Sequence, residues 1–582
     1  MAPAAPNADS PEAPSTTRTH TWTRFLDGDR ALIPLSILIG VLVGLTTVAF
    51  ILLTGRLAAR MYPPDSAAWR RVLVPVLGTL VSGFLLFRYF PNARGSGIPQ
   101  TKFALFIRDG YIPLKTVLGK FLCCSVSLAS GVALGREGPS VQIGAGIASV
   151  LARRFGLSPK NVKALVPVGC AAALAAAFNT PIAAVLFSLE QILGDMHAPV
   201  LGAVVLSSAT SWMVLHLLLG DQPLFHAPAY RLVNPLEFGI YAILGVAGGL
   251  GSVCFVKLLL WLRLWFRKLP KSTIWLQPVA GGLLMGLLGW FVPDVLGVGY
   301  DFVDRVLGGD APVKAMLLLL ALKLVATPVC YSSGNAGGIF GPSLFIGAMI
   351  GGSVGGAAHS LLPKITANPG AYALVGMGTA FAGIVRTPLT SVIMIFEMTR
   401  DYAIIVPLMI SNLISFFISR RLQPEPIYEA LALQEGVYLP SAEEHEDLAG
   451  MRVGEILDRS VEMLPLSATL EQAANFLKQR GCNSWPAGEA ASVRGVVTLH
   501  QLETASPGAK TVRDLLPAGS DFPHLHTDHP ASRVLDRMRG RGVDAMPVVS
   551  RADIHELLGV VTLGSVLTAY GIHTEGEKAV LS

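Results

Sequence analysis

The stretch Gly138-Pro139-Ser140-Val141-Gln142-Ile143-Gly144-Ala145 recurs as Gly341-Pro342-Ser343-Leu344-Phe345-Ile346-Gly347-Ala348, an offset of 203 residues. The run from Thr180-Pro181 to Glu190 recurs as Thr387-Pro388 to Glu397, an offset of 207. Lys120 and Lys323 stand 203 residues apart inside apolar runs, and Gly95-Ser96-Gly97 has a fainter partner in Gly297-Val298-Gly299. One such match could arise by chance in a chain with 60 glycines, but several in the same order at nearly constant offset indicate duplication. The halves run from about 31 to 220 and from 236 to 433. An odd number of membrane crossings per half would invert one half relative to the other. Halves of this kind place a substrate site at their interface, near the bilayer midplane.

Over half of the residues, 52%, are apolar, only 14% are charged, and the mean hydropathy is +0.54, which excludes an ordinary soluble enzyme. Runs such as 32–53, 72–87, 201–219 and 238–262 reach or approach the roughly 20 residues that a bilayer-crossing helix needs. Others are shorter and are interrupted by Gly and Pro. The fold expected is therefore an all-α polytopic membrane protein of duplicated, inverted-repeat halves with broken, tilted helices. Residues 1–30 read as a disordered polar leader without the apolar core of a signal peptide. Arg18, Arg24 and Arg30 before the first span and Arg420 and Arg421 after the last put both termini in the cytoplasm. Short loops and the missing signal peptide favour a prokaryotic plasma membrane. A net charge of +6, spread along the chain, gives no reason to expect nucleic acid. Cys123, Cys124, Cys170, Cys254, Cys330 and Cys482 lack metal-ligand spacing and read as small buried hydrophobes.

After about residue 436 the chain becomes charged and no span-length run follows. Here Arg494-Gly495-Val496-Val497-Thr498-Leu499 recurs as Leu558-Gly559-Val560-Val561-Thr562-Leu563. Helix-like segments at 470–479 and 531–539 precede the copies, and a strand-like run at 546–549 precedes the second. This indicates a cytoplasmic α/β module present twice, at 448–505 and 509–573.

Three Gly-rich turns run into Pro-containing apolar stretches: Gly95-Ser96-Gly97-Ile98-Pro99, Gly135-Arg136-Glu137-Gly138-Pro139 and Gly337-Gly338-Ile339-Phe340-Gly341-Pro342. Proline suits a helix's first turn and glycine exposes the preceding backbone, so three helix N-termini are predicted. Each offers unpaired amides and partial positive charge to an anion, without the full charge that would hold it too tightly for conduction. Read singly, each motif is as well explained by capping and close helix packing. Glu137 beside Arg136 reads either as a helix-terminus stabiliser or as a functional intramembrane carboxylate. Lys120 and Lys323 read either as positive charges that attract anions or as side chains snorkelling to an interface.

With these three motifs in this order, residues 31–435 resemble the CLC family of chloride channels and chloride/proton exchangers, and the tail resembles a pair of CBS domains. The resemblance implies a homodimer with one pore per subunit. It implies an anion site formed by the Ser96 hydroxyl, the Tyr428 hydroxyl and the amides of Ile339 and Phe340, with Gly97 and Gly138 in the flanking loops. Serine at position 96 implies chloride rather than nitrate, and intact GSGIP and GREGP motifs set the chain apart from the fluoride-selective branch. Glu137 would be the gate, its carboxylate competing with chloride for a helix N-terminus until protonation removes its charge.

Two departures qualify what is implied. Exchangers of this family commonly carry Glu-Glu where this chain has Glu190-Gln191, and the second glutamate relays protons, which glutamine cannot do. Glu190 remains as a proton-pathway candidate, with capping or packing as its alternative role. In the tail, the Gly-x-x-Thr/Ser-x-x-Asp nucleotide pattern keeps Thr498 and Thr562 but has Gln501 and Ser565 at the Asp positions, which weakens adenine nucleotide as a ligand. The expectation is chloride transport of a channel-like or weakly proton-coupled kind, with strictly coupled chloride/proton antiport as the alternative. A third reading makes the tail a ligand sensor and the membrane part its anchor. No Walker loop, zinc spacing or catalytic triad is present to suggest an enzyme or a resident metal.

Overall fold

A computed structural model of the chain describes residues 29–569 apart from segments at 64–66, 197–198, 222–223, 226–231, 436–450, 490–491, 506–507 and 517–521. The leader expected at 1–30 lies outside the described residues except for its last two positions, as do the two outer ends of the expected tail modules. The chain divides into two compact units near residue 439.

The first unit is helical: α1 (Asp29–Met61), α2 (Arg70–Arg88), α3 (Ile98–Ile107), α4 (Leu114–Ala129), α5 (Glu137–Arg154), α6 (Pro159–Phe178), α7 (Pro181–Phe187) running into a π turn at Ser188–Leu193, and α8 (Leu201–Leu219). A second series follows in the same order: α9 (Glu237–Lys268), α10 (Gln277–Phe291), α11 (Tyr300–Gly308), α12 (Val313–Ser332), α13 (Phe340–Leu361), α14 (Pro369–Val385), α15 (Pro388–Thr399) and α16 (Ile405–Leu422), closed by α17 (Ile427–Leu433). Eight of the described helical spans are long and apolar enough to cross a bilayer. Helices α3 and α11, at 10 and 9 residues, reach only about 15 Å at ~1.5 Å per residue and stop partway. Outward-facing apolar residues line the longer helices, such as Trp261 on α9 and Leu287 and Phe291 on α10.

Small residues let the halves pack in matching ways. A Cβ on Gly144 would lie 2.3 Å from the Gly169 carbonyl oxygen, and one on Gly347 would lie 2.2 Å from that of Gly376, so α5 crosses α6 as α13 crosses α14. The reciprocity extends to charges. Glu190, on the π turn, accepts from the Leu389 and Thr390 amides (3.4 and 2.9 Å) and the Thr390 hydroxyl (2.5 Å) at the start of α15. Its repeat partner Glu397 accepts from the Ile182 and Ala183 amides (2.9 and 2.7 Å) at the start of α7. Each half thus caps a helix of the other. Cys123, Cys124, Cys170 and Cys330 are buried, but Cys254 is exposed and Cys482 half-exposed. Cys254 sits on the outer face of α9, where an apolar run faces outward as well as inward.

The second unit holds α18 (Val453–Ile456), β1 (Leu464–Pro465), α19 (Leu470–Arg480), β2 (Ser484–Glu489), β3 (Ser492–Thr498), α20 (Leu499–Glu503), α21 (Ser532–Arg541), β4 (Ala545–Val549), β5 (Leu557–Thr562) and α22 (Leu563–Ala569). β1 pairs parallel with β2, β2 antiparallel with β3, and β4 antiparallel with β5. The two antiparallel pairs match in detail: Pro486 faces Val496 as Pro547 faces Val560, and the bulges at Ala487/Gly488 and Val548/Val549 coincide. β2 was not expected, because Pro486 and Gly488 interrupt its strand-like pattern.

Candidate functional site

The three Gly-Pro motifs begin helices α3, α5 and α13, as predicted. Gly95 and Gly97 adopt φ of 83° and 105°, and Gly297 and Gly299, which precede α11, adopt 63° and 90°, so the faint sequence match is a shared loop geometry. Gly135 and Gly338, copies of each other, exchange N–H···O bonds of 2.7 Å in both directions. This reciprocal pair lies on the local two-fold axis between the halves. Around it the loops interlock: a Cβ on Gly97 would sit 2.6 Å from the Gly138 carbonyl oxygen, and one on Gly138 would sit 2.7 Å from that of Ser96. The Gly97 amide donates to Gln100 Oε1 at 2.9 Å, which caps α3.

Lys120 and Lys323 are fully buried, which overturns the snorkelling reading. Lys120 Nζ donates to the carbonyls of Ala93 and Gly95 at 3.0 and 2.7 Å. Lys323 Nζ donates to those of Gly297 and Val298, the latter at 3.2 Å. Each lysine therefore ties down the loop before a half-length helix of its own repeat and places a buried amino group beside it.

Glu137 opens α5 and is 1% exposed. Its Oε1 accepts from the Tyr300 hydroxyl at 2.5 Å, while Oε2 has no hydrogen-bond partner. That oxygen would touch a Cβ on Gly135 at 2.2 Å and one on Gly341 at 3.1 Å, so glycines at both positions admit the carboxylate to the first turn of α13. Arg136, the preceding residue, is half-buried with an unpartnered Nε. Ser96 Oγ, beside the Tyr331 phenol, and Tyr428 Oη are buried and lack a hydrogen bond of good geometry. Ile339 and Phe340 are fully buried, with the Phe340 ring packed on Phe381, Phe178 and Phe187 at 4.3, 4.8 and 5.6 Å. A 480 Å³ cavity reaches Gly95, Gln142 and Tyr331 and is lined by Arg94, Arg108, Arg263 and Arg267 against one carboxylate, Glu435. Such a lining favours anions over cations.

Gln191 is buried and donates to Glu429 Oε1 at 3.3 Å. Glu429 also forms a buried ion pair with Lys102. Sequence reading passed over Lys102, Glu429 and Tyr300. The signal available was a charge stranded in an apolar helix, "SGIPQTKFALF" and "PIYEALAL", of the kind already noted for Lys120. Glu190, with both oxygens engaged by α15, occupies the capping role given as its alternative.

In the tail, Thr498 and Gln501 cap α20 reciprocally, Thr498 Oγ1 accepting from the Gln501 amide at 3.2 Å and Gln501 Oε1 from the Thr498 amide at 2.9 Å. Thr562 and Ser565 do the same for α22, at 3.0 Å each way. A 610 Å³ cleft in this unit is lined by Arg459, Met463, Glu489, Leu557 and neighbours, and neither threonine is among them. The described residues contain no cluster of three or more His, Cys, Asp or Glu suited to a metal.

The family model described as voltage gated chloride channel matches residues 78–420, and the CBS domain model matches 512–571. A protein of Vibrio campbellii named H(+)/Cl(-) exchange transporter ClcA is 31% identical over 365 residues, 60% of this chain and 78% of the relative. One of Ralstonia nicotianae, named putative chloride channel protein ClcB-like, is 34% identical over 352 residues, 59% of this chain and 81% of the relative. The crystal structure of a slow cyanobacterial Cl-/H+ antiporter superposes with a TM-score of 0.64 at 26% identity, covering 69% of this chain and 97% of that one. Duplicated halves, three helix N-termini meeting on a local dyad, and a family match across more than half of the residues agree. The chain belongs to the voltage gated chloride channel family, the CLC proteins, and carries a CBS-type tail.

Proposed function

We propose that this protein exchanges chloride for protons across a bacterial plasma membrane, as a homodimer with both termini in the cytoplasm. The observation that carries the reading is Glu137: a buried carboxylate seated on the N-terminus of a helix from the other half, with one oxygen unpartnered. A helix N-terminus that accepts a carboxylate accepts chloride, so the two compete. Protonation cancels the charge and frees the side chain, which makes one group both anion gate and proton carrier. Ser96 Oγ, Tyr428 Oη and the amides of Ile339 and Phe340 would hold the central chloride, with Gly138 flanking it. Lys120, Lys323 and Arg136 would raise the potential without touching the ion. Relatives named as exchangers support antiport over the channel-like behaviour that the sequence first suggested.

Gln191 favours the second reading, channel-like uniport, because an amide cannot carry a proton. The deciding experiment is chloride-driven proton movement in proteoliposomes, read with a pH electrode. Uphill proton movement at a fixed ratio to chloride supports exchange. Chloride flux without it supports uniport, and absence of any chloride flux revives the tail as a ligand sensor. Thr498 and Thr562 sit in capping boxes, so the tail is read as a structural, dimer-stabilising unit rather than a nucleotide site.

A further inference from the structure

We propose that Glu429 is a second proton-exchanging group of the transport pathway, with Lys102 and Gln191 as positioning residues that hold its carboxylate beside the anion site. The inference rests on the exchange reading above. Protons that pass Glu137 need another titratable group on their way through an apolar domain. Among the described buried carboxylates, Glu237 is engaged at both oxygens, by the amides of Val233 and Ala367 and the hydroxyl of Tyr372. Glu190 and Glu397 each have both oxygens tied to a helix start. Among the described residues two carboxylates retain an unpartnered buried oxygen: Glu137 Oε2 and Glu429 Oε2.

The surroundings of Glu429 suit proton exchange. Lys102, from α3, and Gln191, from the π turn, both donate to Oε1, leaving Oε2 to take a proton without breaking either bond. Tyr428, the preceding residue, lies within the electrostatic reach of Glu429, Glu137 and Tyr331. From α9, Arg263 is directed to the Leu431 carbonyl and Glu435 rather than to Glu429. A proton arriving from water adds to Oε2 and converts the carboxylate to its acid, while Lys102 stays an ammonium. The local charge changes from zero to plus one. That uncompensated charge beside Tyr428 strengthens the hold on a chloride, and it disappears when the proton moves on toward Glu137 and the carboxylate re-forms. Proton and chloride occupancy are thereby linked through one ion pair.

The test compares wild type, Glu429→Gln, Glu429→Asp and the charge-neutral double variant Lys102→Met/Glu429→Gln, full-length and reconstituted, for chloride flux and chloride-driven proton movement. The expected result is chloride flux retained in Glu429→Gln, uphill proton movement reduced by roughly tenfold or more, and partial recovery in Glu429→Asp. If Glu429→Gln does not fold, the double variant, which leaves no lone buried charge, is read by the same criteria. Wild-type proton coupling in the glutamine variant overturns the role of Glu429 and leaves exchange standing. Loss of chloride flux together with coupling, in folded protein, assigns Glu429 to anchoring α17 and also overturns it. Absence of uphill proton movement in wild type sinks the exchange reading itself, and this one with it.

Discussion

Tyr300→Phe isolates the hold on the gate. The phenol donates to Glu137 Oε1 at 2.5 Å, and no other side chain among the described residues donates to that carboxylate. Its ring packs edge-on against Phe225 at 5.2 Å, so phenylalanine keeps the packing and removes only the hydroxyl. A hydrogen bond to a charged group contributes about 1.5–3 kcal/mol, and each ~1.4 kcal/mol is a factor of ten. The seated carboxylate should therefore lose about 10- to 100-fold in its competition with chloride. Chloride efflux from proteoliposomes should rise at near-neutral pH, up to the limit set by the next slowest step. At acid pH, where protonation already frees the side chain, variant and wild type should converge. Glu137→Gln supplies the control: chloride flux persists, its pH dependence disappears, and adding Tyr300→Phe changes nothing further. Unchanged efflux at neutral pH, or an effect of Tyr300→Phe that survives in the Glu137→Gln background, would refute the assignment of Tyr300 to the gate.

Three further perturbations address the frame and the tail. Glu190→Gln should lower thermal stability by about 1–2 kcal/mol through the lost cap on α15, as Glu397→Gln should through α7, while the proton-to-chloride ratio stays at its wild-type value. A changed ratio would return Glu190 to the proton path. Gly347→Ala drives a methyl to 2.2 Å from the Gly376 carbonyl; separating α13 from α14 should cost about 1–3 kcal/mol and weaken chloride binding, readable by calorimetry, and unchanged affinity would show that the Phe340 helix is not positioned by this crossing. In the tail, burial first, then the positive charges of Arg537 and His526, lower the pKa of His529 from 6.5, and its Nδ1 accepts the His526 amide at 3.1 Å. A depressed histidine contributes stability that is present above the unfolded pKa and lost as pH falls through the folded one. Amide exchange around His526 in the full-length protein should thus accelerate as pH drops below about 6.5, after correction for the intrinsic rate, and His529→Asn should flatten the response.

Residues close in sequence carried most of what could be read in advance. Gly-Pro pairs announce helix starts because backbone geometry is local, and a repeat offset survives because both copies keep their local pattern. Contacts across the dyad leave no such trace. Glu190 and Glu397 look like stray acids until the first turn of a helix 200 residues away is placed against each. Lys102 and Glu429, 327 residues apart, advertise only that each is a charge in an apolar run. The start of α3 was legible from Gly97-Ile98-Pro99, but its short length and the grip of Lys120 on the loop before it were not, since an isolated lysine fits an interface as well as an interior. In the tail, Pro486 and Gly488 hid β2 because a bulge accommodates both, and bulges are set by the partner strand.

The pairing of Gly135 with Gly338 has a mechanical consequence. Points on an axis of rotation do not travel, and displacement grows with the lever arm from it. If the two halves rock symmetrically about their dyad, the loops joined by this pair sit at the fulcrum, while residues farther from it sweep larger arcs. Whole-half motion is therefore a poor way to open this centre, and a side chain pivoting at the fulcrum is an effective one. A bearing that holds still while a small latch swings across it is the kind of machine these two glycines allow.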